Sequence, residues 1–460
     1  MRESIPELSK VVASYFMESL VSSLENGKDI SLLIGDVETF LLKVGAGAMS
    51  VLLEEADAIV REAPERNDEW EVQASLCETT LATVFGEVTY ERTYYRSKGK
   101  TKVYMFLSDR ILGIEAHDKT DLLLDSRMVE ESVDTAYRKS GKKVTRMLTF
   151  TGQTVMNKIR DLGPVISVQE SPLEKRKVKV LYIDADEDHV ALQTGGRVEP
   201  RLVYVYEGKR LVTKELPKKG TPRLELIGKR CFGGVYEDYE ELWLEVAKYI
   251  DETYDAKYLE KIYLSGDGAA WIRQGVQWID KSVYVVYKYH LSKYVQRIGA
   301  YAENGADLIW EALYQGDKEY FKLVINTIED SIDTPNKAKE IKEAKSYIKG
   351  VWDTLKYHNE PDYSGCSAEG HVSHIISSRL SSRPLGWSRE GADQMTRLRI
   401  FRENGGNIYE LMLSKKKQQQ IEIKIKKQNA RIQQMSKFAV GCETLTPVRF
   451  CGHKISTLLT

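Results

Sequence analysis

Between residues 178 and 190 the chain reads VKVLYIDADEDHV, an apolar strand that runs into Asp184, Asp186, Glu187 and Asp188 within five positions. Four like charges so close together repel one another, so their clustering asks for a cause. One cause is a bound cation; the other is an ordinary solvated turn that ends the strand. Side chains alternate faces along a strand, so Asp184, Asp186 and Asp188 project to one side for as long as strand geometry lasts. In open α/β sheets, ligands collect outside the carboxyl ends of the strands.

The segments around this strand follow a definite order. Residues 163–177, GPVISVQESPLEKRK, carry two prolines and many charges and mark a boundary. Strands are expected at 178–184, at HVALQTG (189–195) and at RLVYVYEG (201–208), then a helix at 236–254. A further strand runs into IYLSGDGAAWI (262–272), followed by a short helix and the strand of SVYVVYKYH (282–290). Three strands in a meander, then helix, strand, helix, strand, is the order of a ribonuclease H-like α/β domain. Residues 291–363 read as helical throughout and form an insertion within a domain spanning 170–383, whose last helix is SAEGHVSHIISSRL (367–380).

Upstream, residues 1–80 read as helices, with Phe40, Leu41, Val44, Met49, Leu52 and Leu53 at helical spacing. Residues 81–165 change period. FGEVTYERTYYRS and TKVYMFL form a β-hairpin region, and two helical stretches then flank a Gly- and Lys-containing turn. The second stretch starts near Thr151 and presents a small, polar face that includes Gln153 and Asn157. This pattern fits a helix-turn-helix and equally a plain helical hairpin; the basic flank with Lys142, Lys143 and Arg146 favours DNA. Residues 384–460 form a basic C-terminal region, where 414–437 holds eight Lys/Arg and one acid, Glu422.

Composition narrows the class. The chain has 460 residues, 42% hydrophobic and 29% charged, and a net charge of −1, as expected for a globular protein with a real core. No apolar run approaches the roughly 18–20 residues that span a bilayer. The N-terminus lacks an apolar signal core, and five scattered cysteines without a CxxC pair argue against disulfides or structural zinc, so a cytoplasmic location is expected.

Two further acids stand in suggestive places. Asp267 ends a strand between Gly266 and Gly268, and Glu369 opens a helix in CSAEGHVSH. Three carboxylates from two strands and a helix suit hard cations with oxygen ligands, and two such ions about 3.5–4 Å apart support phosphodiester chemistry. His371 and His374 lie three apart beside Cys366, but no second ligand pair accompanies them, so they read as phosphate-site donors rather than zinc ligands. Arg379 and Arg383, with Arg389, are expected to touch DNA backbone.

LYIDADEDHVALQ, YLSGDGAAWI and AEGHVSHIISSRLSSRPLGWS resemble the signature segments of bacterial insertion-sequence transposases of the ISLre-two group, long grouped as an uncharacterised protein family and related to Mutator-type DDE transposases. The resemblance covers most of the chain. It implies a ribonuclease H-like fold that cleaves and joins double-stranded DNA, the terminal inverted repeats of an element and its target, with two Mg²⁺ or Mn²⁺ ions. It implies Asp186, Asp267 and Glu369 as catalytic metal ligands, with Asp184 the alternative first acid. Related proteins carry a Cys-x-x-His after the strand following the second acid; here Tyr287 stands in the Cys position and His290 remains. The resemblance further implies a homo-oligomer bridging two ends, associated with the nucleoid and not with membrane. The competing readings are a structure-specific nuclease of the same fold and a non-catalytic DNA-binding protein derived from a transposase.

Overall fold

The computed structural model describes residues 4–27, 29–165, 172–212, 224–332, 334–383 and 386–441. The segment 166–171, within the expected boundary, lies outside them. The chain divides into two compact units, Met1–Ile408 and Tyr409–Thr460.

The first unit opens with α1 (Ser4–Glu25), α2 (Ile30–Glu62) and the short α3 (Pro64–Glu69). β1 (Trp70–Thr83), β2 (Gly86–Ser97) and β3 (Tyr104–Phe106) then form an antiparallel sheet. The helical N-terminal region therefore ends at Glu69, and 70–80, expected to be helical, belong to β1. Most side chains of residues 70–76 are exposed, so that stretch lacks the half-buried alternation that marks a strand in sequence. Buried Asp57 ties α2 to this sheet by accepting from Thr93 N–H at 3.0 Å and Thr93 Oγ1 at 2.6 Å.

After α4 (Leu107–Ile111) come α5 (Leu122–Asp134), α6 (Tyr137–Lys143) and α7 (Gly152–Asp161). Each of α5 and α7 starts at a side-chain cap. Asp121 accepts from Leu123 and Leu124 N–H, and Thr151 accepts from Thr154 N–H.

The central sheet is built from β4 (Val180–Glu187), β7 (Arg201–Tyr206), β10 (Arg230–Gly234), β11 (Lys261–Gly266) and β12 (Ser282–Val286), in the order β10-β7-β4-β11-β12. β10, β7 and β4 run antiparallel to their neighbours; β4, β11 and β12 are parallel. The expected strand at HVALQTG is absent from this sheet. β5 (Val190–Ala191) there pairs only with β6 (Arg197–Val198), and the third meander strand is β10, reached through the β8 (Gly208–Leu211) and β9 (Leu224–Ile227) ribbon. α8 (Tyr239–Thr253) and α9 (Ala270–Gln274) cover one face, burying Trp243, Val246 and Ile272 against Leu181, Ile183 and Leu264.

α10 (Lys288–Gly299), α11 (Gly305–Gln315), α12 (Lys318–Asp330) and α13 (Pro335–Val351) form the inserted helical body, ending in a 3-10 stretch at Trp352–Asn359. Residues 360–363, expected within the insertion, and Ser367, expected to open the last helix, form neither helix nor strand, and nor do 364–366 between them. α14 (Ala368–Val372), a π turn (Ser373–Ser377) and α15 (Ser378–Leu380) then run on continuously.

α16 (Arg389–Glu403) belongs to the first unit, not to a separate basic tail, because Ala392, Met395, Leu398 and Ile400 are buried. The described part of the second unit is helix, within α17 (Ile408–Gly441). No helix among the described residues is long and apolar enough to cross a membrane.

Arg399 of α16 joins three elements. A π turn shifts carbonyls out of the usual i→i−4 ladder, and here the Arg399 guanidinium donates to the freed His374 and Ile375 carbonyls. It also donates to the Val133 carbonyl and to Asp134 at the end of α5. Arg399→Met should remove these buried bonds, leaving the His374 carbonyl with Ser378 Oγ at 2.7 Å, and cost roughly 3 kcal/mol. Urea unfolding of the full chain measures this, and a loss below about 1 kcal/mol would contradict it.

Candidate metal and DNA site

β4 and β11 pair in parallel from Lys261 opposite Val180 to Ser265 opposite Asp184. Two residues further along stand Asp186, still within β4 and opposite Leu202 of β7, and Asp267, just past the end of β11, so both acids follow the last β4–β11 pair by the same step. Asp186 is half-buried and its Oδ1 accepts from Glu187 N–H at 2.9 Å. Asp267 Oδ1 accepts from Ala269 N–H at 2.9 Å. The intervening Gly268 has φ +107°, and a Cβ there would lie 3.1 Å from the Tyr347 ring, so glycine is needed for this turn. Glu369 lies in α14, which packs against β4; its side chain is outside the described residues. No group of three His, Cys, Asp or Glu side chains among the described residues could hold a metal ion.

The two faces of β4 differ in chemistry. Leu181, Ile183 and Ala185 enter the apolar core. Tyr182, Asp184 and Asp186 point the other way, where Tyr182 stacks with Tyr206 and Tyr263. Residues 360–367 lie across this tyrosine-lined face. Tyr182 donates to the Asp362 carbonyl, Tyr206 to that of Gly365, and Lys209 Nζ to those of Ser364 and Gly365.

Asp184 is only 1% exposed. Its Oδ2 accepts from Ser367 N–H at 2.8 Å and Tyr204 OH at 2.9 Å, with Ser367 Oγ at 3.3 Å and Tyr206 OH at 3.4 Å. Asp186 lies nearer the open end of the strand and is half-buried, where Asp184 is closed over. Asp188 lies past the end of β4, its N–H bonded to the Pro200 carbonyl at 3.1 Å.

His371 packs its ring over Tyr204 at 4.5 Å with Nδ1 3.1 Å from the Ser367 carbonyl, and burial pushes its pKa down, towards the neutral ring. His290 lies on α10 among the rings of Tyr287 and Tyr289.

Two further groups at the strand ends were not singled out in sequence. Glu187 accepts from Trp271 Nε1 at 2.5 Å, and burial pushes its carboxyl up. Arg201, opposite Glu187 in the β4–β7 register, lies over the rings of Trp271 and Tyr239. Its Nε and Nη1 are buried without a hydrogen-bond partner among the described residues. The signal was the meander itself, which sets the first residue of one strand against the last of its neighbour.

Of the expected DNA contacts, Gln153 and Asn157 share the exposed face of α7 and bond each other at 2.8 Å. Thr151 spends its hydroxyl on the helix cap. Lys142 is exposed; Lys143 pairs with Glu131, and Arg146 with Glu38. Arg383 is exposed. Arg379 is only 5% exposed, held between the rings of Tyr137 and Trp387 with Nε on the Ser132 carbonyl, which removes it from any DNA-facing surface.

The chain belongs to UPF0236, an uncharacterised protein family that it matches over residues 23–417. It is similar to a UPF0236 protein of Caldanaerobacter subterraneus subsp. tengcongensis, 41% identical over 395 residues that cover 86% of this chain and 82% of that one. That protein's name carries four designations from one genome. A second UPF0236 protein of the same organism, 40% identical over 395 residues with 86% and 82% coverage, carries eleven. The family is thus present in many copies in a single genome.

Burial raises the Asp184 carboxyl above its ordinary value of 3.8, and the bonds from Ser367 N–H and Tyr204 pull it only partway back. A carboxyl raised in the folded state contributes stability that is full below its unfolded pKa and lost as pH rises through the folded value. Asp184→Asn should therefore be less pH-sensitive than wild type between about pH 4 and 8 and gain on it towards the upper end. Urea midpoints across that range test this; parallel pH profiles for the two proteins would contradict it.

Proposed function

We propose that this protein is a DNA transposase of an insertion sequence, with a ribonuclease H-like domain that cleaves element ends and transfers the freed strand to target DNA. The observation that carries the reading is Asp186 and Asp267, each two residues beyond the last β4–β11 pair near the carboxyl ends of two parallel central strands, with the Glu369 helix packed against the first. The strand order, three antiparallel and two parallel with β4 in the middle, supports the ribonuclease H-like assignment. Many copies of one family in a genome is the distribution expected of a mobile element.

The donor set fits hard cations, since Asp186, Asp267 and Glu369 offer only carboxylate oxygens. Bound Mg²⁺ or Mn²⁺ would lower the pKa of an attacking water or 3′-hydroxyl and stabilise the departing oxygen. Asp186, Asp267 and Glu369 would be the residues that hold these ions. Gly266 and Gly268 keep the Asp267 turn narrow, and the Asx bond to Ala269 N–H holds its carboxyl in place. Arg201, stacked beside the acids, supplies a cation for the nucleic-acid backbone.

Asp186→Asn, Asp267→Asn and Glu369→Gln should each lower cleavage of an element-end duplex by at least about 1,000-fold while binding is retained, because a neutral amide cannot replace a carboxylate that holds a cation. Mg²⁺ or Mn²⁺ should support turnover and Ca²⁺ only binding. Undiminished cutting in chelator would sink the reading. Cleavage without joining would favour the structure-specific nuclease, and tight binding without either would favour the non-catalytic derivative.

Base readout is assigned to α7 and part of the backbone affinity to α17. Gln153→Ala with Asn157→Ala should erase the preference for element ends over random duplex at an unchanged salt slope. Truncation after Leu413 should weaken binding to all duplexes and flatten the slope of log K against log salt by about 0.9 for each phosphate that α17 no longer neutralises. Filter binding across salt concentrations distinguishes the two, and the reverse pattern would exchange the roles.

A further inference from the structure

We infer that Asp184 is a positioning residue: its carboxyl fastens the backbone at Ser367 to β4 and thereby sets where Glu369, two residues on, stands against Asp186. This rests on the assignment of Glu369 and Asp186 to one site.

The segment that leads into α14 has no ladder of its own. Residues 360–367 form neither helix nor strand. Beyond a turn bond from Tyr363 N–H to the Glu360 carbonyl at 3.1 Å, their course is held by Glu360 accepting from Lys261 and Tyr263, by Tyr363 OH 3.2 Å from Ser265 Oγ, and by side chains that reach their backbone. Those side chains come from the sheet: Tyr182, Tyr206 and Lys209 donate to the carbonyls of Asp362, Ser364 and Gly365. Only donors to carbonyls would leave the segment free to rise. Asp184 supplies the acceptor, and it takes the last N–H before the helix, that of Ser367.

The bond spans 183 residues of sequence. The same oxygen takes Tyr204 OH, and Tyr204 in turn lies 3.1 Å from Ser367 Oγ and under the His371 ring. β4 therefore presents two aspartates on one face with different work. Asp184 is closed over by Ser367 and two tyrosines; Asp186 stands one step nearer the open strand end.

The test uses the full chain. Hydrogen exchange across residues 360–372 is read together with the Mg²⁺ concentration for half-maximal cleavage of an element-end duplex. Asp184→Ala removes the acceptor and should speed exchange at 366–372 by about tenfold, leaving β11 and β12 unchanged. It should raise the half-maximal Mg²⁺ concentration by a similar factor. Asp184→Asn keeps an acceptor oxygen and should hold both readouts within about threefold of wild type, since the tyrosine hydroxyls can turn to meet its amide. Tyr204→Phe with Tyr206→Phe leaves the carboxyl in place and should show the alanine pattern more weakly, which also covers an alanine variant that fails to fold.

If Asp184→Asn loses as much cleavage as Asp186→Asn, with exchange at 366–372 unchanged, Asp184 is a ligand and the inference falls. It falls as well if the alanine and tyrosine variants leave exchange unchanged. A wild-type protein that cuts no DNA would overturn the proposed function alone, and the exchange comparison would then decide the anchor by itself.

Discussion

β4 is the strand on which the arrangement turns, because it is hydrogen-bonded along both edges and covered on both faces. Its core side poses no difficulty, since Leu181, Ile183 and Ala185 meet α8 and α9 in ordinary apolar packing. Its other side carries Tyr182, Asp184 and Asp186, and polar groups removed from water need partners. A covering helix with an apolar stripe would leave those groups unsatisfied. The chain instead lays an irregular segment over them, whose unpaired peptide groups are what a hydroxyl or carboxyl requires. The irregularity of residues 360–367 is therefore the complement of a polar strand face.

A second cross-connection has the same logic. The π turn before α15 frees carbonyls, and Arg399 reaches across from α16 to fill them while also holding the end of α5. Arg379, one turn further on, packs between Tyr137 and Trp387 and bonds the Ser132 carbonyl. Two buried arginines thus couple the three-helix region to the helix that carries Glu369.

The parts legible in sequence were those with a period. β4, β7 and β11 are apolar runs closed by Gly or an acid and β12 is an apolar run that ends in YKYH, and Asp186 and Asp267 were visible as strand terminators. β10 was not: RCFGG is five residues with two glycines, too short and too bare for alternation to show. HVALQTG alternates well enough to read as a strand, but its neighbours pair only with each other. α16 reads as charged surface in REGADQMTRLRIFRE, yet Arg399 is buried because carbonyls and Asp134 satisfy it. The anchoring of 360–367 had no sequence signal, since side-chain to main-chain bonds across a long interval leave no repeat. Arg379 shows the converse hazard: a basic residue near a phosphate site reads as a DNA contact until its burial is seen.

The separation between Asp184 and Ser367 also bears on the order in which the molecule is made. At about 5–20 residues per second of synthesis, the 183 residues between them take roughly 10–40 s to emerge. The strands β4, β7, β10, β11 and β12 have all been synthesised well before the end of that interval, and the inserted helices α10–α13, held by contacts close in sequence, can assemble during it. From the emergence of β12 at Val286 until residues 360–367 are made, the growing chain has every strand of the central sheet but nothing to cover its tyrosine face. The last wall of the site arrives only when residues 360–372 dock. A chain broken off after β12 but before residue 360 carries Asp186 and Asp267 yet lacks the segment that covers Asp184, and is left with an uncovered polar strand.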